Sequence, residues 1–521
     1  MNGAECLVKT LLAGGVDVCF ANPGTSEMHF VAALDSHPQM RCILGLFEGG
    51  VTGAADGYWR MTGQPAATLL HLAPGFGNGY ANVHNARKGF GGMVNVVGEH
   101  ADYHLKYDAP LKGDIEGVAR GVSDWLRVSS DARAVAGDGA DAVRAARSAN
   151  GQIATLVLPA NTAWDAAEAP ADPLPPVRLH RPRPDQIRAA ADALRAEGAA
   201  LFVGGAALHG DLAVLAGKIA ARTGCRLMAD LFVPRLQRGA GAVAIECMYY
   251  AVLENAEILK DVRHMVLVGA GEPVAFFAYP DKPSTPTPPS CHLLDLCGPR
   301  MDIAWTLQAL AEETDALDST PAVLALDLPA LPSGTITAQK VGAALAALLP
   351  ENAIVVNESV TAGQPLSDAT RTARRHDWLN NPGGAIGAAL PLAVGAAVAC
   401  PDRRVIAATG DGSAMYTLQS LWTMARERLD VTVIVFANRG YQILRGELAN
   451  VGVHSVGRNA ERMFNVEDPQ LDWVALAAGH GVAAERAHDM DSFVAAFSGA
   501  VERPGPFLIE VCLPSSAPGF A

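Results

Sequence analysis

The sequence predicts an α/β protein built on mostly parallel β-sheets. Residues 405–409 and 431–436 have the composition of buried strands, and residues 416–429 between them have the periodicity of a helix. A strand, helix, strand order of this kind is typical of parallel sheets joined by right-handed crossovers. The hydrophobic content of 50% supplies the apolar residues that layered α/β packing needs.

Two proline-rich segments divide the 521 residues into three predicted α/β domains. The segment 169–184 ends the first domain and the segment 327–333 leads into the last. The predicted domains are residues 1–168, 184–326 and 334–521. The middle domain has predicted strands at residues 200–203 and 265–268, but it lacks a full dinucleotide-binding fingerprint.

Composition argues against several classes of function. A net charge of -14 and a pI of about 5.5 disfavour nucleic-acid binding, which needs clustered Lys and Arg. The nine cysteines lack zinc-ligand spacing, which favours a reducing cytoplasm over a disulfide framework. No secretory signal is expected at the start of the chain, and the apolar residues 385–400 are predicted to form a core helix because they are too few to span a membrane.

The most informative motif is Gly410-Asp411-Gly412-Ser413, with Asn438 27 residues after the aspartate. Asp411 and Asn438 each follow a predicted strand, so we expect both side chains at the carboxyl edge of one sheet. Their oxygens suit Mg²⁺, which usually also binds phosphate and water. Gly412 allows close approach of the backbone, and the amide of Ser413 begins a helix that can bind a phosphate. The alternative is an ordinary Gly-Asp-Gly turn.

This motif resembles the metal site of the thiamine diphosphate (ThDP) dependent enzymes of the 2-oxo acid decarboxylase and acetolactate synthase group, in which Gly-Asp-Gly precedes Asn-Asn by a similar spacer. The resemblance implies that Asp411, Asn438 and the carbonyl of Gly440 hold Mg²⁺. Ala437 replaces the first asparagine, which is not a ligand in the family, so we expect metal binding to be retained. The resemblance also implies three Rossmann-like domains of the decarboxylase type, namely pyrimidine-binding, middle and diphosphate-binding domains.

The N-terminal region resembles the same family. Residues 20–25 resemble its first strand and turn, and residues 47–58 resemble its glutamate helix. By this resemblance, Glu48 binds the pyrimidine ring of the cofactor and promotes formation of the nucleophilic ylide. That task needs a carboxyl group in an apolar site, where its pKa can be tuned. A glutamate that begins a helix is otherwise most often a partner of the helix dipole.

Two C-terminal segments extend the resemblance. Residues 381–387 resemble the loop that supports the cofactor, with Ile386 against its bent conformation and the Gly384 carbonyl on the aminopyrimidine; a glycine-rich helix entry is the alternative. Thr361 lies in a segment similar to the family's other diphosphate-side segment, where it would donate its hydroxyl or cap a helix. The cofactor contacts implied over the chain are Pro23, Glu48, Asn78, Thr361, Gly384, Ile386, Gly412, Ser413, Asn438 and Tyr441.

Within the group, residues 70–78 resemble the benzoylformate decarboxylase branch. His71 is similar to a histidine of that branch and would relay protons, since histidine ordinarily titrates near neutral pH. A buried histidine bonded to a backbone carbonyl is the alternative. Thr25 lies where the branch has a serine that contacts the substrate carboxylate, and it is also an ordinary turn or cap residue. The implied substrate pocket comprises Thr25, His71, Ala278, Ile443, Leu444 and Glu447.

Two pocket positions, Ala278 and Glu447, depart from the pattern of the benzoylformate branch, and Leu444 departs from that of pyruvate decarboxylases. Ala278 replaces a second pocket histidine of the benzoylformate branch. Leu444 lies where pyruvate decarboxylases have a catalytic glutamate, so pyruvate decarboxylation by that route is not expected. Glu447 replaces an aromatic residue, which removes about 1 kcal/mol of aryl stacking and favours a polar or aliphatic substrate.

A polar cluster follows the predicted strand 94–97, and its members are Glu99, His100, Asp102 and His104. Their spacing is not that of a regular metal site, and we favour a substrate-side or interface role over metal binding or a solvated loop.

Some relatives bind FAD in the middle domain, but this sequence lacks the dinucleotide-binding fingerprint that would support FAD binding here. In the family, two subunits enclose each cofactor, so the resemblance implies a homodimer or homotetramer.

The sequence therefore predicts a ThDP- and Mg²⁺-dependent carbon-carbon lyase or ligase that acts on a small-molecule 2-oxo acid, without a nucleic-acid or membrane partner. His71 and Leu444 favour a decarboxylase of the benzoylformate decarboxylase type. Acetolactate synthase-like carboligation, which gives an acyloin, is the alternative reaction. The alternative of another class is a ThDP-binding relative without turnover, and the presence of Glu48, Asp411 and Asn438 argues against it.

Overall fold

The computed structural model describes residues 1–453 and 455–514, so the end of the predicted third domain lies outside it. This part of the chain forms three mostly parallel sheets flanked by helices, which confirms the predicted α/β class. The exact domain limits stay a prediction. In the described residues, no helix combines the length and the apolar character that crossing a membrane requires.

The N-terminal sheet is parallel throughout, in the order β2-β1-β3-β4-β6-β5. Its strands β3, β4 and β6 are buried along their whole length, as expected for a sheet covered on both faces. The elements are α1 (Gly3–Ala13), β1 (Val18–Ala21), α2 (Met28–Asp35), β2 (Arg41–Leu44), α3 (Glu48–Thr62), β3 (Ala66–Leu70), α4 (Leu72–Lys88), β4 (Met93–Glu99), α5 (Ile115–Arg120), β5 (Trp125–Val128), α6 (Val135–Arg147), β6 (Ile153–Pro159) and α7 (Ala160–Trp164), with 3-10 turns at Thr25–Glu27 and Asp102–Tyr107.

The middle sheet has the order β10-β8-β7-β11-β12 and is also parallel. One strand of this region, β9, instead pairs antiparallel with the third sheet. The elements are α8 (Pro184–Arg195), β7 (Ala199–Val203), α9 (Gly210–Thr223), β8 (Arg226–Ala229), β9 (Leu236–Arg238), β10 (Glu246–Cys247), α10 (Val252–Leu259), β11 (His264–Val268), β12 (His292–Cys297) and α11 (Ile303–Glu313), with a 3-10 turn at Gly205–Leu208.

The C-terminal sheet has the order β17-β18-β16-β15-β13-β14-β9. The elements are α12 (Ala338–Leu348), β13 (Ala353–Glu358), α13 (Gly363–Thr370), β14 (His376–Leu379), α14 (Ala389–Ala399), β15 (Val405–Gly410), α15 (Asp411–Ala414), α16 (Ser420–Glu427), β16 (Val431–Ala437), α17 (Gln442–Asn450), α18 (Arg458–Phe464), α19 (Trp473–Gly479), β17 (Ala483–Ala487), α20 (Met490–Glu502) and β18 (Phe507–Cys512), with a 3-10 turn at Val360–Ala362.

The helix predicted at residues 416–429 was wrong at its start, because α16 begins only at Ser420. The preceding residues turn so that the Thr417 hydroxyl can donate to the Gly387 carbonyl at 2.9 Å. The predicted parallel pair on either side of this helix is confirmed, since β15 and β16 are adjacent. The predicted core helix is confirmed as α14, which is buried along nearly its whole length.

Contacts made by α3 help to join the three sheets. Helices α3 and α14 approach so closely that a Cβ on Gly57 would lie 2.2 Å from the Leu392 carbonyl oxygen. Arg60 of α3 forms a buried ion pair with Asp56 at 2.6 Å, with both side chains 2% exposed. The same guanidinium donates to the carbonyls of Pro234, in the middle region, and Asn380, which follows β14.

Candidate active site

The carboxyl ends of β1, β2 and β3 lie side by side and carry the N-terminal site residues. Glu48 is the first residue of α3 and is 7% exposed. Its Oε2 accepts a hydrogen bond of 3.0 Å from Nδ2 of Asn78 on α4. A Cβ on Gly75 would lie 2.9 Å from Glu48 Oε1, so this glycine leaves room for the carboxylate. The structure therefore places Glu48 and Asn78 together.

His71 is held by Glu27, which sequence reasoning missed. Nδ1 of His71 lies 2.9 Å from Oε2 of Glu27, whose side chain is 2% exposed. The alternative interpretation, a bond to a backbone carbonyl, does not describe this contact. Gly24 lies against the imidazole, because a Cβ there would be 2.0 Å from Nδ1, and its amide donates to Glu27 at 2.7 Å. Thr25 begins the next turn and is exposed, as is Pro23.

At the C-terminal sheet, the ends of β15 and β16 bring Asp411 and Asn438 to one edge. Asp411 is 3% exposed and accepts from the amide of Arg439 at 2.7 Å. Oδ1 of Asn438 accepts from the amide of Gly440 at 3.2 Å. Burial raises the pKa of Asp411 to about 6. Within the described residues no basic side chain pairs with Asp411, and a buried carboxylate of this kind fits a bound cation, which would offset its charge.

Small and hydroxyl-bearing residues surround this edge and fit a diphosphate. A Cβ on Gly412 would lie 2.4 Å from the Tyr441 ring, so the turn is packed against that ring. Ser413 is 5% exposed on the short α15. The hydroxyl of Ser359 is buried and has no hydrogen-bond partner among the described residues. It directly precedes the 3-10 turn that holds Thr361.

Helix α4 fixes the loop 381–387. Asn85 donates to the Ala385 carbonyl at 2.8 Å and accepts from the Ala385 amide at 3.1 Å. Gly384 has φ +72°, and a Cβ there would lie 2.7 Å from Cζ of Phe276. Ile386 is partly exposed on the same loop. The loop is therefore an ordered turn rather than part of α14.

Glu358, at the end of β13, is a second residue that sequence reasoning missed as a functional candidate. Its carboxylate accepts from the amides of Ala388 and Ala389 at 2.9 Å and 3.2 Å, and it lies 3.4 Å from Nδ2 of Asn381. Burial raises its pKa to about 7, although these donors act in the opposite direction. Glu358 thus anchors both the loop 381–387 and the start of α14.

Glu447 of α17 is bonded to two tyrosines of the middle region. Its carboxylate accepts from the hydroxyls of Tyr250 at 3.2 Å and Tyr279 at 2.7 Å. The predicted pocket residues Ile443 and Leu444 lie one turn before it on α17, and Ala278 is exposed beside Tyr279. Neither tyrosine was predicted, because only their position in the fold brings them to Glu447.

The four residues of the polar cluster after β4 have different environments and do not contact one common group. Glu99 is the last residue of β4, and it is buried and accepts from the amide of His100 at 2.7 Å. Burial raises its pKa. The rings of His100 and His104 lie 5.7 Å apart, whereas Asp102 and His104 are exposed. In the described part of the chain, no three His, Cys, Asp or Glu residues are grouped to hold a metal.

Comparison with known proteins identifies the family. Residues 1–119 match the model of the thiamine pyrophosphate enzyme N-terminal TPP binding domain, and residues 361–511 match the model of its C-terminal TPP binding domain. The chain belongs to the thiamine pyrophosphate enzymes. The two matched regions contain Glu48 and His71 on one side and Asp411 and Asn438 on the other.

Relatives of this thiamine pyrophosphate enzyme cover nearly its whole length. It is 48% identical over 517 residues, 99% of both chains, to a putative acetolactate synthase large subunit, IlvX, of Mycobacterium tuberculosis. It is 28% identical to a benzoylformate decarboxylase of Pseudomonas aeruginosa, over 95% of this chain and 96% of the relative. A solved Rhodococcus jostii ThDP-dependent 4-hydroxybenzoylformate decarboxylase shares the fold, with a TM-score of 0.85, 24% identity and 99% coverage of both chains. The predicted resemblance is confirmed: this is a ThDP-dependent enzyme of the decarboxylase and acetolactate synthase group.

Proposed function

We propose that this thiamine pyrophosphate enzyme is an Mg²⁺-dependent decarboxylase of 2-oxo acids, of the benzoylformate decarboxylase type. The observation that carries this proposal is the buried Glu27 carboxylate on Nδ1 of His71. A carboxylate there favours the tautomer with the proton on Nδ1, which leaves Nε2 available for proton transfer. Conversion of a 2-oxo acid anion into an aldehyde and CO₂ takes up one proton, which His71 would deliver from Nε2 in its protonated form.

The chain's own residues would hold the cofactor at the two sheet edges. Asp411, Asn438 and the Gly440 carbonyl would bind Mg²⁺, and the amides after Asp411 would bind the diphosphate. ThDP, when bound, supplies the nucleophilic carbon and the electron sink that decarboxylation needs. Glu48 would bind the pyrimidine ring, the Gly384 carbonyl would accept from its amino group, and Ile386 would support the bent conformation of the cofactor. The other proposed cofactor contacts are Pro23, Asn78, Thr361, Gly412, Ser413 and Tyr441.

We further propose that two subunits complete each site, in a homodimer or homotetramer of the cytoplasm. Glu48 and His71 form their side-chain hydrogen bonds at the edge of the N-terminal sheet, whereas Asp411 forms its hydrogen bonds at the edge of the C-terminal sheet. In residues 1–453 and 455–514, no hydrogen bond joins Glu48 or His71 to Asp411. A second copy of the chain would bring complementary edges together.

Carboligation is the second candidate reaction. The relative that is 48% identical over the whole chain carries the name of a putative acetolactate synthase large subunit, which favours acyloin formation. The two reactions differ in the organic product. A decarboxylase releases an aldehyde with each CO₂, whereas a carboligase given pyruvate releases acetolactate.

The test is CO₂ release by the purified protein with ThDP and Mg²⁺, against pyruvate, branched-chain and aryl 2-oxo acids, with the product identified by mass. We expect an aldehyde from one of these acids, which would identify the substrate. Glu48→Gln should retain ThDP but lose turnover, and Asp411→Ala should lose Mg²⁺-dependent ThDP binding. The exposed residues Glu351 and Asp402, changed to Gln and Ala, are the matched controls. Full turnover of Glu48→Gln, or unchanged cofactor affinity of Asp411→Ala, would contradict the assigned roles.

A further inference from the structure

A cavity of about 360 Å³ lies between the middle region and α13 of the C-terminal region. Strands β9 and β10 and helices α10 and α13 contribute its walls. Among residues 1–453 and 455–514, none of the proposed cofactor, metal or substrate contacts lines this cavity. The glycine-rich turns that follow β7 and β11 do not line it either. The cavity is therefore separate from the candidate active site, and its volume is that of a small-molecule site.

Arg238 of β9 places a guanidinium in the wall of this cavity. The residue is 7% exposed, and its two Nη atoms donate to the hydroxyl of Ser367, at 2.9 Å, and to the Ser367 carbonyl. Its Nε is buried and has no hydrogen-bond partner among the described residues. Burial lowers the pKa of Arg238 to about 10, so the group is still charged at neutral pH. Neither contact with Ser367 supplies a negative charge, and a bound anion would offset the burial of this cation.

The other charged side chains of the cavity leave one positive charge in excess. Glu246 is already paired with Arg226 of β8, at 3.1 Å. Asp368 is exposed and accepts from the amide of Gln364 at 2.8 Å. Arg371, directly after α13, is exposed and brings a second guanidinium to the open end of the cavity. The two guanidiniums and the one aspartate together leave the charge that a monoanion neutralises.

Aliphatic side chains form much of the remaining wall. The chief members are Leu231, Leu236, Val243, Ile245, Ile258 and Leu324. A phosphate dianion would leave a negative charge against these side chains, where an uncompensated charge is unfavourable. A monocarboxylate with an aliphatic chain matches both the single positive charge and the apolar wall.

We propose that this cavity binds a small aliphatic monocarboxylate, with its carboxylate between Arg238 and Arg371 and its alkyl chain on the aliphatic wall. The charge-assisted hydrogen bonds fix the carboxylate, and the alkyl chain is removed from water. The bound ligand bridges β9 and α13, and so connects the middle region to the C-terminal region. Nothing in this site depends on which reaction the candidate active site performs.

The test measures the dissociation constants of butanoate, hexanoate and 1-hexanol by calorimetry on the full-length protein with ThDP and Mg²⁺. Two further methylenes should make hexanoate bind about tenfold more tightly than butanoate. The uncharged 1-hexanol should bind at least about tenfold more weakly than hexanoate, since it forms no bond between opposite charges. Arg371→Gln should weaken hexanoate binding about tenfold and leave 1-hexanol binding unchanged.

A second variant and a control complete the design. Arg238→Gln removes the buried guanidinium and should weaken hexanoate binding at least as much as Arg371→Gln. Thermal midpoints report whether this variant is folded, and the exposed position of Arg371 keeps the test independent of it. Arg178→Gln, at an exposed position in the segment 169–184, is the matched arginine control and should leave all three dissociation constants unchanged.

Three outcomes would contradict the proposal. Equal affinity for hexanoate and 1-hexanol would remove the role of charge. Hexanoate affinity that Arg371→Gln and a folded Arg238→Gln both keep in full would overturn the site. Binding of inorganic phosphate that depends on both arginines, without binding of hexanoate, would overturn the assignment to a carboxylate.

Discussion

Replacement of Glu358 by Gln tests the energetic cost of a carboxyl group buried beside the candidate site. Burial raises its pKa from 4.5 to about 7, and a difference of this size corresponds to about 3 kcal/mol. The folded state then holds the proton more tightly than the unfolded state. The contribution of Glu358 to the free energy of unfolding is therefore lost as the pH rises from about 4.5 to about 7. Glutamine resembles the protonated acid and has no such loss.

The assay is urea unfolding of the wild type and Glu358→Gln at several pH values between about 4.5 and 8. Other titrating groups are common to both proteins, so the difference in free energy between them isolates Glu358. This difference should move by about 3 kcal/mol in favour of the variant as the pH rises. Infrared difference spectra should show a protonated carboxyl band in the wild type at pH 6 that the variant lacks.

The result that would refute this reasoning is a free-energy difference between the two proteins that is constant over the whole pH range. Glu358 would then titrate alike in the folded and unfolded states, and the amides of Ala388 and Ala389 would fully compensate its burial. Glu351→Gln, at an exposed position before β13, provides the control for the loss of one carboxylate from the surface.

Three other substitutions act directly on the candidate site. Glu27→Gln removes the charged partner of His71, and we expect kcat to fall about 10- to 100-fold with KM little changed; an unchanged kcat would contradict this positioning role. Gly24→Ala brings a Cβ within 2.0 Å of the same imidazole and should lower kcat, whereas Gly77→Ala, in open space, should not. Gly412→Ala brings a Cβ within 2.4 Å of Tyr441 and should weaken ThDP binding measured by calorimetry, with Gly446→Ala, also in open space, as the control.

Local patterns predicted the parts of the site that follow strands. Asp411 and Asn438 lie at one sheet edge because apolar segments fix β15 and β16 and a right-handed crossover makes them parallel. Glu48 as the first residue of a helix was likewise predictable, although its proposed role came from resemblance to a family. Both features depend on residues close in sequence or on a fixed rule of connection.

The remaining contacts join residues that are far apart in the chain. His71 meets Glu27 across 44 residues, and Glu447 meets Tyr279 across 168 residues. Such pairs produce no periodic pattern in a single sequence, because they depend on how helices and strands pack against each other in the folded chain. The late start of α16 was also missed: the backbone amides of Tyr416 and Thr417 bond to carbonyls three residues back, and the Thr417 hydroxyl bonds to the distant carbonyl of Gly387.

The buried pair of Arg60 and Asp56 makes the three sheets depend on one another. Removing one partner of a buried ion pair costs about 3–5 kcal/mol, and here Arg60 also bonds to the carbonyls of Pro234 and Asn380. Large chains usually unfold one domain at a time, but a shared anchor couples these steps. The middle sheet provides no metal ligand in the proposed site. Because of this coupling, a ligand that stabilises the loop beginning beside Asn380 also protects the middle sheet against unfolding.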